Sequence, residues 1–381
     1  PRVLFAVTSH GFGHVTRSLA IARELAAVAP ETDLVISTGV SASRVERELE
    51  CPFTHRERDY EPGAAQKNCF EVDIVATRDA YRRFDAQRAG RLADEERFLR
   101  ESGCTGVVSD SPALPLRAAA NVGIPAVGVS NFTWDWILEP LVDSSDLEAI
   151  RRRVAEDYAA GDLYLRLPLG PQANPFPVGE DAPLVARAAK RPPEAVRRQL
   201  LEIGGLEARA LEGRKLVLVC PGGWGPAGWD RFHVRDCEGF LFLLVGGLPV
   251  TASAPLLHLP RDLPPGLEFP ERVNAADLVL SKLGYGIVSE CLLHRTLLVA
   301  VERRDFRETG EMLPELRSMA PLGEMSLAAF FSGEWEESLI GAAECDTRWA
   351  DVPANGARLV AERLAAFFQL DTVGGRNVVH S

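Results

Sequence analysis

The sequence predicts an α/β protein of two Rossmann-like, doubly wound domains facing each other across a cleft, and three observations predict it. Short apolar runs typical of buried parallel strands alternate with helical spacings through most of the chain. A strand, a glycine-bearing loop and a following α/β pattern begin at residue 2 and restart at 215. Between the two lies a shift in composition, residues 168–195, with prolines at 168, 171, 175, 177, 183, 192 and 193. A chain of 381 residues is long enough for two domains of ordinary size. The expected division is 1–180, 181–355, and a C-terminal helix and tail, 356–381, whose helix packs back on the first domain.

In order, residues 2–8 are a strand buried on both faces, and 18–28 carry apolar residues at helical spacing, closed by Pro30. Residues 33–37 are the next strand. Residues 41–103 are charged and read as helices and loops with one or two strands, 78–100 being a solvated helical face. Strands at 105–109 and 124–130 flank a helix at 114–122. Residues 146–158 are helical and 163–167 a short strand. The helix at 193–201 tolerates its prolines because they fall in the first turn. In the second half, strands are expected at 215–220, 240–245, 267–269, 277–280 and 296–301, with helices at 287–293 and 355–368.

Composition excludes several classes. Hydrophobic residues make up 46% and charged residues 25%, as in soluble globular proteins, and the net charge of −12 disfavours broad nucleic-acid binding. Seven scattered cysteines without a Cys-x-x-Cys pair predict neither a disulfide framework nor structural zinc, and point to the cytoplasm. No signal peptide is read, and glycines and prolines break up the longest uncharged run, 239–260, so no transmembrane segment is expected. Arginine far outnumbers lysine, which occurs four times, and alanine is abundant, as in GC-rich bacterial genomes.

Chemistry concentrates at the predicted carboxyl ends of strands, where open sheets bind ligands. The first loop, Gly11-Phe12-Gly13-His14, has Thr16 where a dinucleotide fingerprint needs glycine, so nicotinamide binding is disfavoured. His14 either acts as a general base or packs the following helix. Asp110 ends another strand. Asn131, Trp134 and Asp135 either bind a polar ring compound or close the core under a loop. The loop after 215–220, with Gly222 and Gly223, lacks the P-loop lysine but offers backbone N–H groups to a diphosphate. The stretch 278–306 reads as strand, glycine loop, helix and strand. Its helix start, near Gly284 and Gly286, is suited to phosphate, and Glu290 one turn on is suited to ribose hydroxyls. The other reading of this stretch is an ordinary strand-to-helix turn with Glu290 solvated.

These residues carry a resemblance. The loop at 11–17 resembles the glycine/histidine loop of GT-B glycosyltransferases, in the branch of the lipid II-forming N-acetylglucosaminyltransferase. Residues 281–290 resemble that group's donor-nucleotide motif. Residues 131–136, 166–168 and 303–305 look like the glycosyltransferase-like N-terminal region of plant arabinokinases and its bacterial relatives. The likeness extends over about residues 2–368.

The resemblance implies an inverting sugar transferase with a UDP-sugar as co-substrate, no other cofactor and no metal. Gly222, Gly223, Gly284, Tyr285, Gly286 and Ile287 would surround the diphosphate, with Lys282 in the same motif. Glu290 would hold the ribose, and Asp305 with Glu308 the sugar hydroxyls. Arg303, Arg304 or Arg307 would neutralise the diphosphate or a uronic carboxylate, and His14 would take the acceptor's proton. The acceptor is expected to be a small polar molecule: a sugar, a nucleobase or nucleoside, or another metabolite. A nucleotide-sugar epimerase or hydrolase, or a non-catalytic nucleotide-sugar binding protein, are the alternatives. The kinase domain of the plant proteins is not recognised, so no sugar-kinase activity is expected.

Overall fold

Among the described residues, thirteen of the fifteen strands lie in two parallel sheets, one in each of two compact units. The structure, a computed structural model, describes residues 1–222, 229, 232–246, 250–253, 255–345 and 348–373.

The first unit comprises 1–65, 73–186 and 355–381. Its elements are β1 (Arg2–Val7), α1 (Phe12–Val28), β2 (Asp33–Thr38), α2 (Ala42–Leu49), β3 (Thr54–Glu57), α3 (Ile74–Ser102), β4 (Gly106–Asp110), α4 (Leu114–Val122), β5 (Ala126–Ser130), α5 (Trp134–Leu138), α6 (Ser145–Tyr158), β6 (Leu163–Arg166) and β7 (Gly179–Asp181). The sheet runs β3-β2-β1-β4-β5-β6-β7, parallel throughout. β1, β4 and β5 are buried almost end to end, which is why they read as continuous apolar runs instead of alternating ones. The C-terminal helix Gly356–Phe367 packs against α1.

The second unit comprises 66–72 and 187–354. It contains α7 (Pro193–Ile203), β8 (Lys215–Val219), β9 (His233–Val234), β10 (Phe240–Val245), β11 (Thr251–Ala252), β12 (Leu256–Leu259), α8 (Phe269–Ala275), β13 (Leu278–Lys282), α9 (Tyr285–His294), β14 (Leu297–Val301), α10 (Arg307–Met319), β15 (Leu322–Met325), α11 (Leu327–Ser332) and α12 (Glu336–Glu344). The main sheet runs β12-β10-β8-β13-β14-β15, again parallel, and β9 pairs with β11 apart from it.

Several expectations change. The strand expected at 267–269 is absent: Phe269 opens α8, with Pro270 in its first turn, where the missing N–H costs nothing. The first helix starts at Phe12 and not at 18, so His14 and Arg17 are one helical turn apart on a shared face. Residues 66–72, read as part of the first domain, belong to the second unit. There Phe70 is fully buried with Phe330 and Phe331, and the Arg304 N–H donates to the Phe70 carbonyl at 3.1 Å. No described helix is long and apolar enough to cross a membrane.

Candidate functional site

In each sheet the strand order reverses once, between β1 and β4 in the first unit and between β8 and β13 in the second. A parallel sheet binds ligands at the carboxyl ends of the strands flanking such a reversal. Each unit carries one cluster of chemistry-bearing residues there.

In the first unit, α1 follows β1 through Gly11, whose φ of 95° requires glycine. Phe12 is exposed under the Arg44 guanidinium, 4.0 Å from the ring centre, and Gly13 is half-buried. His14 Nδ1 lies 2.9 Å from Asp110 Oδ1, at the end of β4. Arg17 donates to both carboxylate oxygens, through Nη2 to Oδ1 at 2.6 Å and through Nε to Oδ2 at 2.7 Å. Ser18 Oγ donates to Oδ2 at 2.6 Å. Asn131 Oδ1 accepts from Arg17 Nη1 at 2.8 Å, and Ser130 Oγ from Nη2 at 3.0 Å.

Burial would push the Asp110 carboxyl up, but the Arg17 guanidinium and His14 outweigh it and hold Asp110 well below the usual carboxylate range. That charge assigns the histidine tautomer. Arg17 Nη2 is also 2.8 Å from His14 Nδ1, and an N–H on both atoms would conflict. A bare Nδ1 lone pair against an ionised carboxylate repels more strongly, however, and Ser130 takes the second Nη2 hydrogen. Nδ1–H therefore donates to Asp110, and Nε2 is left as the basic nitrogen.

Trp134, a candidate either for binding a polar ring or for closing the core, is core. It is fully buried, edge-on to His10 at 5.2 Å and to Phe132 at 5.4 Å. Asp135 is buried too, and burial raises its carboxyl. Asp110 and Asn131 are buried and do not face solvent: Asp110 positions the His14 ring, and Asn131 holds Arg17. Arg17, Ser18, Ser130 and Ser111, whose Oγ lies 3.2 Å from His14 Nδ1, were not singled out from the sequence. The signal for Arg17 and Ser18 was their spacing of three and four from His14 on one helical face.

Behind this cluster, Glu61 lines a small pocket of about 30 Å³ together with Tyr81, Leu114 and Trp134, large enough for a water molecule. The Thr8 hydroxyl and Trp134 indole N–H face its carboxyl, but neither oxygen makes a hydrogen bond of normal geometry. Burial raises the group from 4.5 to about 7.

In the second unit, Gly222 after β8 (φ 88°) lies against Lys282 at the end of β13. A β-carbon there would sit 3.0 Å from the lysine Cε. Gly223 lies outside the described residues. Gly284 caps α9 with extended backbone, and Tyr285, Gly286 and Ile287 form its first turn, where free N–H groups and the helix dipole favour an anion. Glu290 is buried and paired with Arg187 at 2.7 Å, not solvated. After β14, the side chains of Arg303 and Glu308 are buried, 3.8 Å apart. Arg304 is exposed and paired with Glu302, and Asp305 is exposed with φ 60°. Burial, then the neighbouring Arg303 charge, lowers Lys282 to about 7, and burial lowers Arg303 to about 10.

Among the described residues no group of three or more His, Cys, Asp or Glu is arranged to hold a metal ion.

Two doubly wound parallel sheets, each with its residues at the strand-order reversal, define the GT-B fold, the fold of a large class of glycosyltransferases. Comparison with solved structures bears this out. The kitacinnamycin glycotransferase superposes with a TM-score of 0.58 at 16% identity, over 97% of this chain and 94% of that one. UGT2 of Phytolacca americana, solved with UDP-2fluoro-glucose and pterostilbene, gives 0.56 at 10% identity, over 97% and 91%. A protein described as a UDP-N-acetylglucosamine 2-epimerase of Listeria monocytogenes gives 0.56 at 11%, over 99% of both chains.

These likenesses establish the fold and leave the chemistry to the residues. No family model matches the chain. In sequence it is similar to L-arabinokinase of Arabidopsis thaliana, 28% identical over 402 aligned residues. That alignment covers 98% of this chain and only 37% of the plant protein.

Proposed function

We propose that the chain is an inverting glycosyltransferase that moves a sugar from a UDP-sugar to a small polar acceptor such as a sugar, a nucleoside or another metabolite. The observation that carries this reading is the His14–Asp110 pair at the carboxyl ends of β1 and β4. His14 Nε2 takes the proton of an acceptor hydroxyl as its oxygen attacks the anomeric carbon. The bond from that carbon to the diphosphate breaks on the opposite face, which inverts the configuration. Asp110 stabilises the imidazolium that forms, and the proton leaves later to solvent.

In the second unit, the start of α9 and Lys282 receive the charge that builds on the departing diphosphate. Transfer in this reading needs no metal ion, so a chelator leaves the rate unchanged. The nucleotide is taken as uridine because UDP-2fluoro-glucose was bound in one protein of this fold. Free thiols at all seven cysteines fit a reducing cytoplasm.

A thermal-shift screen of nucleotides and nucleotide sugars identifies the donor, because a ligand that binds only the folded state raises the melting point. Turnover with that donor falls by ~10² or more in His14→Ala, the scale of general-base catalysis. Full activity in that variant rules out the mechanism. The epimerase of the same fold motivates a second reading, which release of an epimer or free sugar without any acceptor would support.

A further inference from the structure

Lys282 and Arg303 form a pair of cations at the carboxyl ends of neighbouring strands. In the β13–β14 ladder Lys282 stands opposite Val301, and Arg303 follows two residues later. The Lys282 ammonium makes no hydrogen bond or ion pair with a described residue. The Arg303 side chain is 5% exposed and lies over the Phe306 ring, 3.8 Å from its centre. Its nearest carboxylate, Glu308, is 3.8 Å away, beyond hydrogen-bond reach, and its buried Nε–H has no acceptor. The other carboxylates of this loop stand apart: Glu302 is paired with Arg304, and Asp305 points to solvent.

A buried guanidinium with one loosely placed counter-charge, beside a lysine whose own charge burial disfavours, is costly, and an anion that bridges the two restores both charges. The diphosphate already has the start of α9, Gly222 and Lys282. Arg303 stands one strand further along, about 4.8 Å away in the sheet direction. That step is comparable to the width of a sugar ring, and it brings Arg303 beside Asp305. A neutral sugar would offer the guanidinium only hydroxyls. A carboxylate matches its planar fork with two charge-assisted hydrogen bonds.

We infer that the donor is a nucleoside-diphosphate uronic acid and that Arg303 holds its carboxylate. The inference rests on the nucleotide-sugar reading above and names the sugar class for it.

The test is calorimetric titration of wild type, Arg303→Gln and Arg303→Lys with UDP, UDP-glucose, UDP-glucuronate, UDP-galactose and UDP-galacturonate. The expected result is that wild type binds one uronate roughly 10- to 100-fold tighter than its neutral counterpart, the worth of a charge-assisted pair. Arg303→Gln loses that preference while holding UDP itself within about twofold of wild type, and Arg303→Lys retains part of it. Unchanged UDP affinity also shows that the variants fold.

No uronate preference in wild type overturns the inference. So does an equal loss of UDP and uronate affinity in Arg303→Gln, which would assign Arg303 to the diphosphate. Failure of wild type to bind UDP at all removes the nucleotide-sugar reading as well, so the two failures are told apart by the UDP titration alone.

Discussion

Asp110 gives one oxygen, Oδ1, to both His14 and Arg17, at 2.9 and 2.6 Å, and so links the basic histidine to a buried permanent cation. Asp110→Asn removes the charge that selects the Nδ1–H tautomer and leaves Arg17 without its counter-ion. Turnover is expected to fall ~10²–10⁴-fold at saturating donor. Stability is expected to fall by ~3–5 kcal/mol in urea unfolding, the cost of stranding one partner of a buried pair. The wild-type carboxyl is lowered on folding, so its contribution is full above the unfolded value of about 3.9 and is lost as pH falls toward the folded one. The variant should lack that acid-side loss; an unchanged acid limb would contradict it.

Glu61 works in the opposite sense. Its folded value, about 7, lies above the ordinary 4.5, so the folded chain holds a proton that the unfolded chain has released. Stability from this group is complete below the unfolded value and is lost as pH rises through about 7. The total is about 3 kcal/mol, at 1.36 kcal/mol for each pH unit of separation. Glu61→Gln should flatten the unfolding midpoint between pH 5 and 8. A midpoint in wild type that is already flat across that range would mean that the carboxyl ionises normally.

The sheets were legible because parallel strands buried on both faces leave unbroken apolar runs, as in Val3 to Val7 and Leu278 to Leu280. The chemistry at their ends was legible where glycine punctuates a strand-to-helix turn, at Gly11 and Gly284. What could not be read was which polar residues the fold would bury. Arg17 stood in the loop ahead of the helix expected from 18 and carried no mark of burial, yet it is the cation around which Asp110, Asn131 and Ser130 are arranged. Trp134 is the reverse case: an aromatic residue after a strand suits either a ligand or the core, and only the neighbouring Tyr81, His10 and Phe132 decide for the core. Membership of 66–72 in the second unit depends on contacts with residues far along the chain, Phe330 and Arg304 among them, and local pattern carries no trace of such pairings.

That segment supplies a prediction of its own. Phe70 fills the second unit's core beside Phe330, and its carbonyl fixes the backbone of Arg304, next to Asp305. Phe70→Ala should cost ~3–5 kcal/mol, as for other buried aromatic truncations. It should also weaken donor binding through the loosened 302–305 loop. Phe70→Leu keeps most of the volume and should recover most of both. Unfolding followed by tryptophan fluorescence and UDP titration of the same samples separate the two effects. Wild-type stability in Phe70→Ala would show that the segment is not part of the core.

Asp305 has φ 60°, a conformation that costs a side chain with a β-carbon roughly 1 kcal/mol relative to glycine. Asn and Asp bear that cost best, because their short polar side chains bond locally. An exposed residue held there, one strand from Lys282, has its carboxylate aimed by the backbone and not by packing. Asp305→Gly should therefore raise stability by up to ~1 kcal/mol while lowering turnover. Asp305→Asn should keep the backbone and wild-type stability but remove the charged acceptor for sugar hydroxyls, lowering turnover with the sugar nucleotide while leaving UDP affinity unchanged. Asp305→Ala should lose on both counts, since it carries the strain without the acceptor. If the glycine variant were more stable and fully active, the positive φ would be a feature of the turn alone, and Asp305 would have no part in holding the donor.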